Sequence, residues 1–178
     1  MFTMRHLNRV MPELKGLNKP NIFYVSKSEI AYRLSKMNSQ FRGHAIEKMV
    51  RDELLKKHMG NYHGGSHSHD ITINKKTRVE VKSSLASPRV KANSKKIISY
   101  SFTFKHIQLE KFDILVLSYV TPTGVVTKWM SKATAMEFVS NKYEDICSIH
   151  ITTTDLNKLP GTDFKKLDRS KKRQVCKV

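Results

Sequence analysis

Residues 112–120 read FDILVLSYV, an almost unbroken apolar run in which Asp113 is the one charged residue. A strand of this composition has no polar face, so it must be covered on both sides and lie centrally in a sheet. That requirement shapes everything around it. The run is also less than half the length needed to cross a bilayer, so no transmembrane helix and no membrane partner are expected.

The neighbouring segments supply a sheet and its covering layers. Ser26 and Glu29 have the spacing of a capping box, which predicts a helix of about three turns with Ile30, Leu34 and Met37 on its buried face. A second, longer helix is predicted from Ser39 to Met59, closed by Gly60. Phe41, Ala45, Ile46, Met49, Val50 and Leu54 form its apolar stripe. The period then changes from 3.6 to 2. Asp70 to Ile73 alternates, Asn74-Lys75-Lys76 makes a turn, and Thr77 to Ser83 alternates again with Val79 and Val81 on one face, which is a hairpin. A Lys-rich connection, Pro88 to Lys96, leads to a strand carrying Ile98, Tyr100, Phe102 and Phe104. After the apolar run come a turn at Thr121 to Gly124 and a strand at Val125 to Met130. A helix follows at Lys132 to Asn141 with Ala135, Phe138 and Val139 facing in, then a strand at Ile146 to Ile151. The fold class is therefore α/β.

Charge indicates the kind of partner. The chain of 178 residues has 33 Lys and Arg against 15 Asp and Glu, a formal net charge of +18. Such a surface repels itself unless a polyanion is near, and nucleic acid is the commonest one inside cells. Cys147 and Cys176 lie far apart with no partner at metal-ligand spacing, which argues against a disulfide framework and for a reducing, intracellular location. The opening MFTMRHLNRVMP lacks a continuous apolar core and a cleavage site, so the chain is not expected to be secreted; a mitochondrial presequence is the weaker alternative.

The acids are unevenly placed in this basic background. From Ile71 to Lys96 the only acid is Glu80, among eight Lys and Arg. Glu80 and Lys82 are two apart on a strand and so share a face, while Val79 and Val81 anchor the other. Asp70, at the mouth of the adjoining strand, can converge on Glu80. Two carboxylates a few ångströms apart repel each other unless a divalent cation neutralises them, and oxygen ligands select a hard ion such as Mg²⁺. A lysine beside that ion can orient an attacking water and offset charge on a phosphodiester oxygen. Glu47 lies beside the apolar stripe of the second helix and points toward the interior; alternatively it pairs with Arg51 at i+4. Two other E-x-K or D-x-K runs, Glu13 to Lys15 and Asp163 to Lys165, lack this context.

In the helix with Gly43 and Glu47, then Asp70, then Glu80-x-Lys82, then HIQLEKFDILVL with Gln108 ahead of the apolar strand, the chain resembles the PD-(D/E)xK nuclease superfamily over roughly residues 41–130. The resemblance implies a restriction-endonuclease-like α/β/α core with a central mixed sheet, and Mg²⁺-dependent hydrolysis of DNA, with Mn²⁺ as a substitute, leaving 5′-phosphates. By it, Asp70 and Glu80 would hold the metal, Lys82 would be the catalytic lysine, and Glu47 would help hold metal or water. His69 replaces the proline that gives the motif its first letter, and Gln108 is carried over as accessory. A type II restriction enzyme, a phage nuclease and a Holliday-junction resolvase are all similar to this pattern. Most such enzymes act as homodimers, because cutting two strands takes two sites. The chain then divides into an N-terminal extension (1–25), a nuclease domain (26–157) and a basic C-terminal tail (158–178).

Phosphate contacts are expected from Lys75, Lys76 and Arg78 on the hairpin turn, from Arg89, Lys91, Lys95 and Lys96, and from Lys105, with DNA as the partner. The alternative for each is solvated charge, and for Asp70, Glu80 and Lys82 an ordinary cross-strand ion pair. Asp113 is expected to pair or cap near the start of its strand. His58, His63, His67 and His69 invite a zinc reading, but Gly64 and Gly65 loosen their loop and no second ligand pair follows. A non-catalytic basic nucleic-acid-binding module is the competing reading of the whole chain.

Overall fold

In the computed structural model the residues described are 29–56, 60–62, 69–143, 146–164 and 167. Ser26 and the 1–25 extension lie outside them, as do Met59 and the histidines at 58, 63 and 67. Two helices come first. Helix α1, Glu29–Lys36, buries Ile30, Ala31 and Leu34 and is held at its start by a Glu29–Arg33 pair at 2.9 Å. Helix α2, Ser39–Leu55, begins where the Asn38 side chain accepts the Phe41 N–H at 2.9 Å, an N-cap that satisfies one orphan amide. Ala45, Ile46, Met49, Val50 and Leu54 are buried as the stripe requires, whereas Phe41 is exposed one turn before the stripe reaches the sheet. The helix ends at Leu55, short of the expected Met59. Gly60 instead opens strand β1, Gly60–Tyr62, whose backbone is claimed by β2, with Gly60 opposite Ile73.

The first sheet also contains β2 (Ile71–Ile73), β3 (Thr77–Leu85), β6 (Ile114–Thr121) and β7 (Gly124–Ser131), in the order β1-β2-β3-β6-β7. The β2–β3 turn has Asn74 and Lys75 at φ 50° and 65°, the left-handed pair that a two-strand hairpin twist favours. All eight residues of β6 are buried, and the strand is central, parallel to β3 and antiparallel to β7. The sheet is therefore mixed.

Strands β4 (Ser87–Val90), β5 (Ile97–Gln108), β8 (Val139–Tyr143) and β9 (Ile146–Thr153) make a second, antiparallel sheet ordered β4-β5-β9-β8. This sheet corrects the expectation of helices on both faces. Parallel strands need a long crossover, usually a helix, but the segment between β3 and β6 is rich in Ser, Thr, Ile and Phe at period 2 and forms a hairpin. Arg89 and Val90 thus belong to a strand rather than a plain connection. The layers are helix, mixed sheet, antiparallel sheet. Likewise the helix foreseen at 132–141 is only α3, Lys132–Glu137, and Val139 starts β8, where it pairs with Ile149.

Alternation along β6 divides the core in two. Ile114, Val116 and Val120 join Val79, Val81 and Ile71 against α1 and α2. Leu115, Leu117 and Tyr119 face Phe102, Phe104, Ile149 and Ile151 of the second sheet. The Tyr119 ring takes Phe102 and Phe104 edge-on at 5.1 and 5.2 Å, and its hydroxyl donates to the Pro160 carbonyl at 3.1 Å. Burial pushes that hydroxyl's pKa up. Packing continues past residue 158: Leu159 and Leu167 are buried, and Thr162 bridges to Trp129 through two backbone hydrogen bonds of 2.9 and 2.7 Å. Gly161, at φ +104°, sits where a Cβ would come 2.8 Å from the Lys128 Cβ. Gly161→Ala is expected to cost about 1–3 kcal/mol through backbone strain and that clash, measured as a lower urea midpoint at unchanged slope. No helix among the described residues is long and apolar enough to cross a membrane.

Candidate functional site

The hairpin brings Asp70 to Glu80. The ladder runs to Ile71 opposite Val79, and Asp70 lies just before it in the chain, close enough to Glu80 to feel its charge. Asp70 is fixed to β3 at both ends. Its N–H donates to the Val79 carbonyl at 3.1 Å, and its Oδ2 accepts the Val81 N–H at 2.7 Å. Val79 and Val81 are buried against the helices, and Glu80 and Lys82 alternate with them along β3, partly buried. Lys82 Nζ lies 2.5 Å from Glu80 Oε1, with side chains 24% and 13% exposed. The pair is partly sheltered from water, and its charge matters accordingly.

Glu47 reaches the same region from α2. Burial raises its carboxyl above the ordinary range; His44 and Lys82 oppose that rise, and Glu80 adds to it. His44 Nδ1 is 3.8 Å from Glu47 Oε2. Asp70 is moved furthest, up to about 7: burial comes first, then the charges of Glu80 and Glu47, against the Val81 amide and Lys82. Three acids and one lysine therefore share one field. Glu47 has His44 beside it, while the Arg51 guanidinium forks onto Asp52 at 2.6 and 2.9 Å.

Among the described residues, no three His, Cys, Asp or Glu side chains form a ready-made metal-ligand group. The chemistry of the donors nevertheless fits a hard cation. All three acids offer oxygen, and a divalent ion would offset the burial and the neighbouring acids that together hold the Asp70 carboxyl up. Asp70 and Glu80 would hold it, with Glu47 beside them.

The other residues singled out from the sequence are placed elsewhere. Lys75 and Lys76 are exposed at the turn, the far end of the hairpin from Asp70. Arg78 is engaged by Asp113 in a two-pronged ion pair, Nη2–Oδ1 2.9 Å and Nε–Oδ2 3.3 Å, and also donates to the Glu110 carbonyl at 2.9 Å. That is the pairing expected of Asp113, and Arg78's charge is largely answered within the chain. His69 Nε2 lies 2.7 Å from Thr72 Oγ1. Arg89, Lys91, Lys95 and Lys96 are exposed on the β4–β5 hairpin, Lys105 is exposed on β5, and Gln108 ends β5 opposite Ile146. His44 is the member that sequence reasoning missed; its only signal was a position three residues before Glu47, one helical turn away. The chain matches no family model, and no curated protein is significantly similar to it.

Proposed function

We propose that the protein is a Mg²⁺-dependent DNA endonuclease that hydrolyses phosphodiester bonds to leave 5′-phosphates, of the restriction or phage kind and working as a homodimer. The observation that carries this reading is the gathering of Asp70, Glu80 and Glu47 around Lys82 in a chain of net charge +18, with Asp70 held up at about 7. Carboxylates are costly beside a polyanion, so their placement on a basic protein needs a purpose. The order of parts adds support: a helix with an inward acid, a hairpin carrying Asp70, Glu80 and Lys82, and a buried strand parallel to β3.

Bound Mg²⁺ supplies positive charge on the scissile phosphate and a more acidic water. The chain supplies the geometry. The Val81 amide fixes the Asp70 carboxylate, Val79 and Val81 anchor β3 so that Glu80 and Lys82 keep one orientation, and the Lys82 ammonium donates to the attacking water or the phosphate oxygen. The Lys82–Glu80 contact is also what a plain ion pair would make, which favours a second reading, a non-catalytic basic nucleic-acid-binding module.

Incubation with supercoiled plasmid, linear duplex and a four-way junction separates these readings. Cleavage in Mg²⁺ or Mn²⁺ that stops with EDTA and leaves ends a ligase can seal is the expected result. Preference for the junction would instead assign a Holliday-junction resolvase. Tight binding without cleavage of any substrate would overturn the nuclease in favour of the binding module.

A further inference from the structure

The β4–β5 hairpin extends past the sheet that carries it. Strand β9 pairs with β5 only from Tyr100 onward, so Ile97 to Ser99 are paired with β4 alone, as a two-stranded ribbon. Its tip is ordered. Lys91 N–H donates to the Lys96 carbonyl at 3.0 Å, Ser94 Oγ accepts the Lys96 N–H at 3.0 Å, and Asn93 takes the left-handed conformation at φ 60°.

Two kinds of side chain crowd this tip. Arg89, Lys91, Lys95 and Lys96 are exposed, and no acid occurs from Val81 to Leu109 to answer them. Between them stand Val90, Ile97 and Ile98, exposed by 54, 44 and 49%. Val90 and Ile97 face each other directly across the ribbon, next to a register shift at Arg89/Val90 that sharpens the local twist. Protection of an edge strand accounts for Pro88 and for the lysines. It does not account for three β-branched apolar residues in water at the same place.

We propose that this hairpin is an arm that seats its tip in a groove of duplex DNA, the four cations on the flanking phosphates and the three apolar side chains against the groove floor. A two-stranded ribbon is of the right width for the major groove, and the polyanion is the partner that the charge calls for. The inference rests on DNA being the substrate, but it does not need the chain to cut.

Binding of the full chain to a fluorescein-labelled duplex in EDTA, read by anisotropy over a salt series, tests it. The variant Arg89→Ala/Lys91→Ala/Lys95→Ala/Lys96→Ala is expected to bind at least about tenfold more weakly, with the slope of log K against log salt reduced by roughly 2–4, at about 0.9 per phosphate contact. The variant Val90→Ser/Ile97→Ser/Ile98→Ser is expected to lose about fivefold or more at an unchanged slope, and to bind single-stranded DNA as the wild type does. If either multiple variant melts below the wild type, Lys95→Ala and Ile98→Ser carry the same comparison. Duplex affinity within twofold of wild type for either variant overturns the arm. So does an apolar variant whose only change is from dimer to monomer in sedimentation, since the tip would then be a self-association element. The two proposals fail separately: arm-dependent binding without cleavage in Mg²⁺ ends the nuclease and keeps the arm, and cleavage with unaltered binding by the arm variants does the reverse.

Discussion

Exchanging the two charges, as the double variant Glu80→Lys/Lys82→Glu, is expected to abolish Mg²⁺-dependent cleavage in a protein that still folds and binds DNA. The swap keeps opposite charges two residues apart on one face of β3, so a merely structural pair would survive it. Catalysis would not, because the carboxylate moves away from Asp70 and the ammonium takes its place. Lys82→Ala alone should lower the cleavage rate by about 10²–10³-fold, the usual cost of removing one donor aimed at developing charge. Glu80→Ala should lose at least as much while binding duplex as tightly as wild type or tighter, since one carboxylate facing phosphate is gone. Plasmid-nicking time courses alongside anisotropy make the comparison. Wild-type cleavage by the charge-swapped protein would assign the pair to stability alone.

Asp70 gives the second large effect, in stability rather than rate. Its folded carboxyl is raised from 3.8 to about 7, chiefly by burial and then by Glu80 and Glu47. Between those values the native state holds a proton that the unfolded chain has released. Stability from this group is therefore complete below about pH 4 and lost as pH rises through about 7. The thermal midpoint of Asp70→Asn, measured against wild type without metal, should thus shift upward between pH 5 and pH 8. Mg²⁺ favours the ionised carboxylate, so it should stabilise wild type more at pH 8 than at pH 5. At a free concentration about 100 times Kd the linkage is about 2.7 kcal/mol, or roughly 5–10 °C for a chain of this size. Asp70→Asn should lose most of that increment. An equal response to Mg²⁺ in both proteins at both pH values would remove Asp70 from the metal site.

What the sequence made legible follows from what periodicity reports. The run at 112–120 demanded a central strand and β6 is one; the hairpin through the Asn74–Lys76 turn was legible too, and it brings Asp70 back toward Glu80. Glu47 was readable from its place beside the Ala45, Ile46 and Met49 stripe. Pairing partners were not readable in the same way. Gly60 looked like a helix stop because nothing local reveals that Ile73 will take up its backbone. The second sheet was missed because β4 read as a connection and β8 as the end of a helix, and because joining its strands depends on contacts such as Thr103 with His150, far apart in the chain. The Arg78–Asp113 ion pair, 35 residues apart, is of the same kind.

The hairpin crossover also bears on how the chain reaches this fold. Strands β3 and β6 are not neighbours in sequence, and closing them into a parallel pair costs loop entropy before any contact is gained. Here the intervening segment is itself a local β4–β5 hairpin, a unit that forms in microseconds when isolated pieces are compared. Once it has closed, the connection between β3 and β6 is effectively shorter, and in the folded chain the Ala86 N–H meets the Val120 carbonyl at 2.8 Å. The same element that we propose to meet DNA would then shorten the search by which the strand bearing Glu80 and Lys82 finds its buried partner.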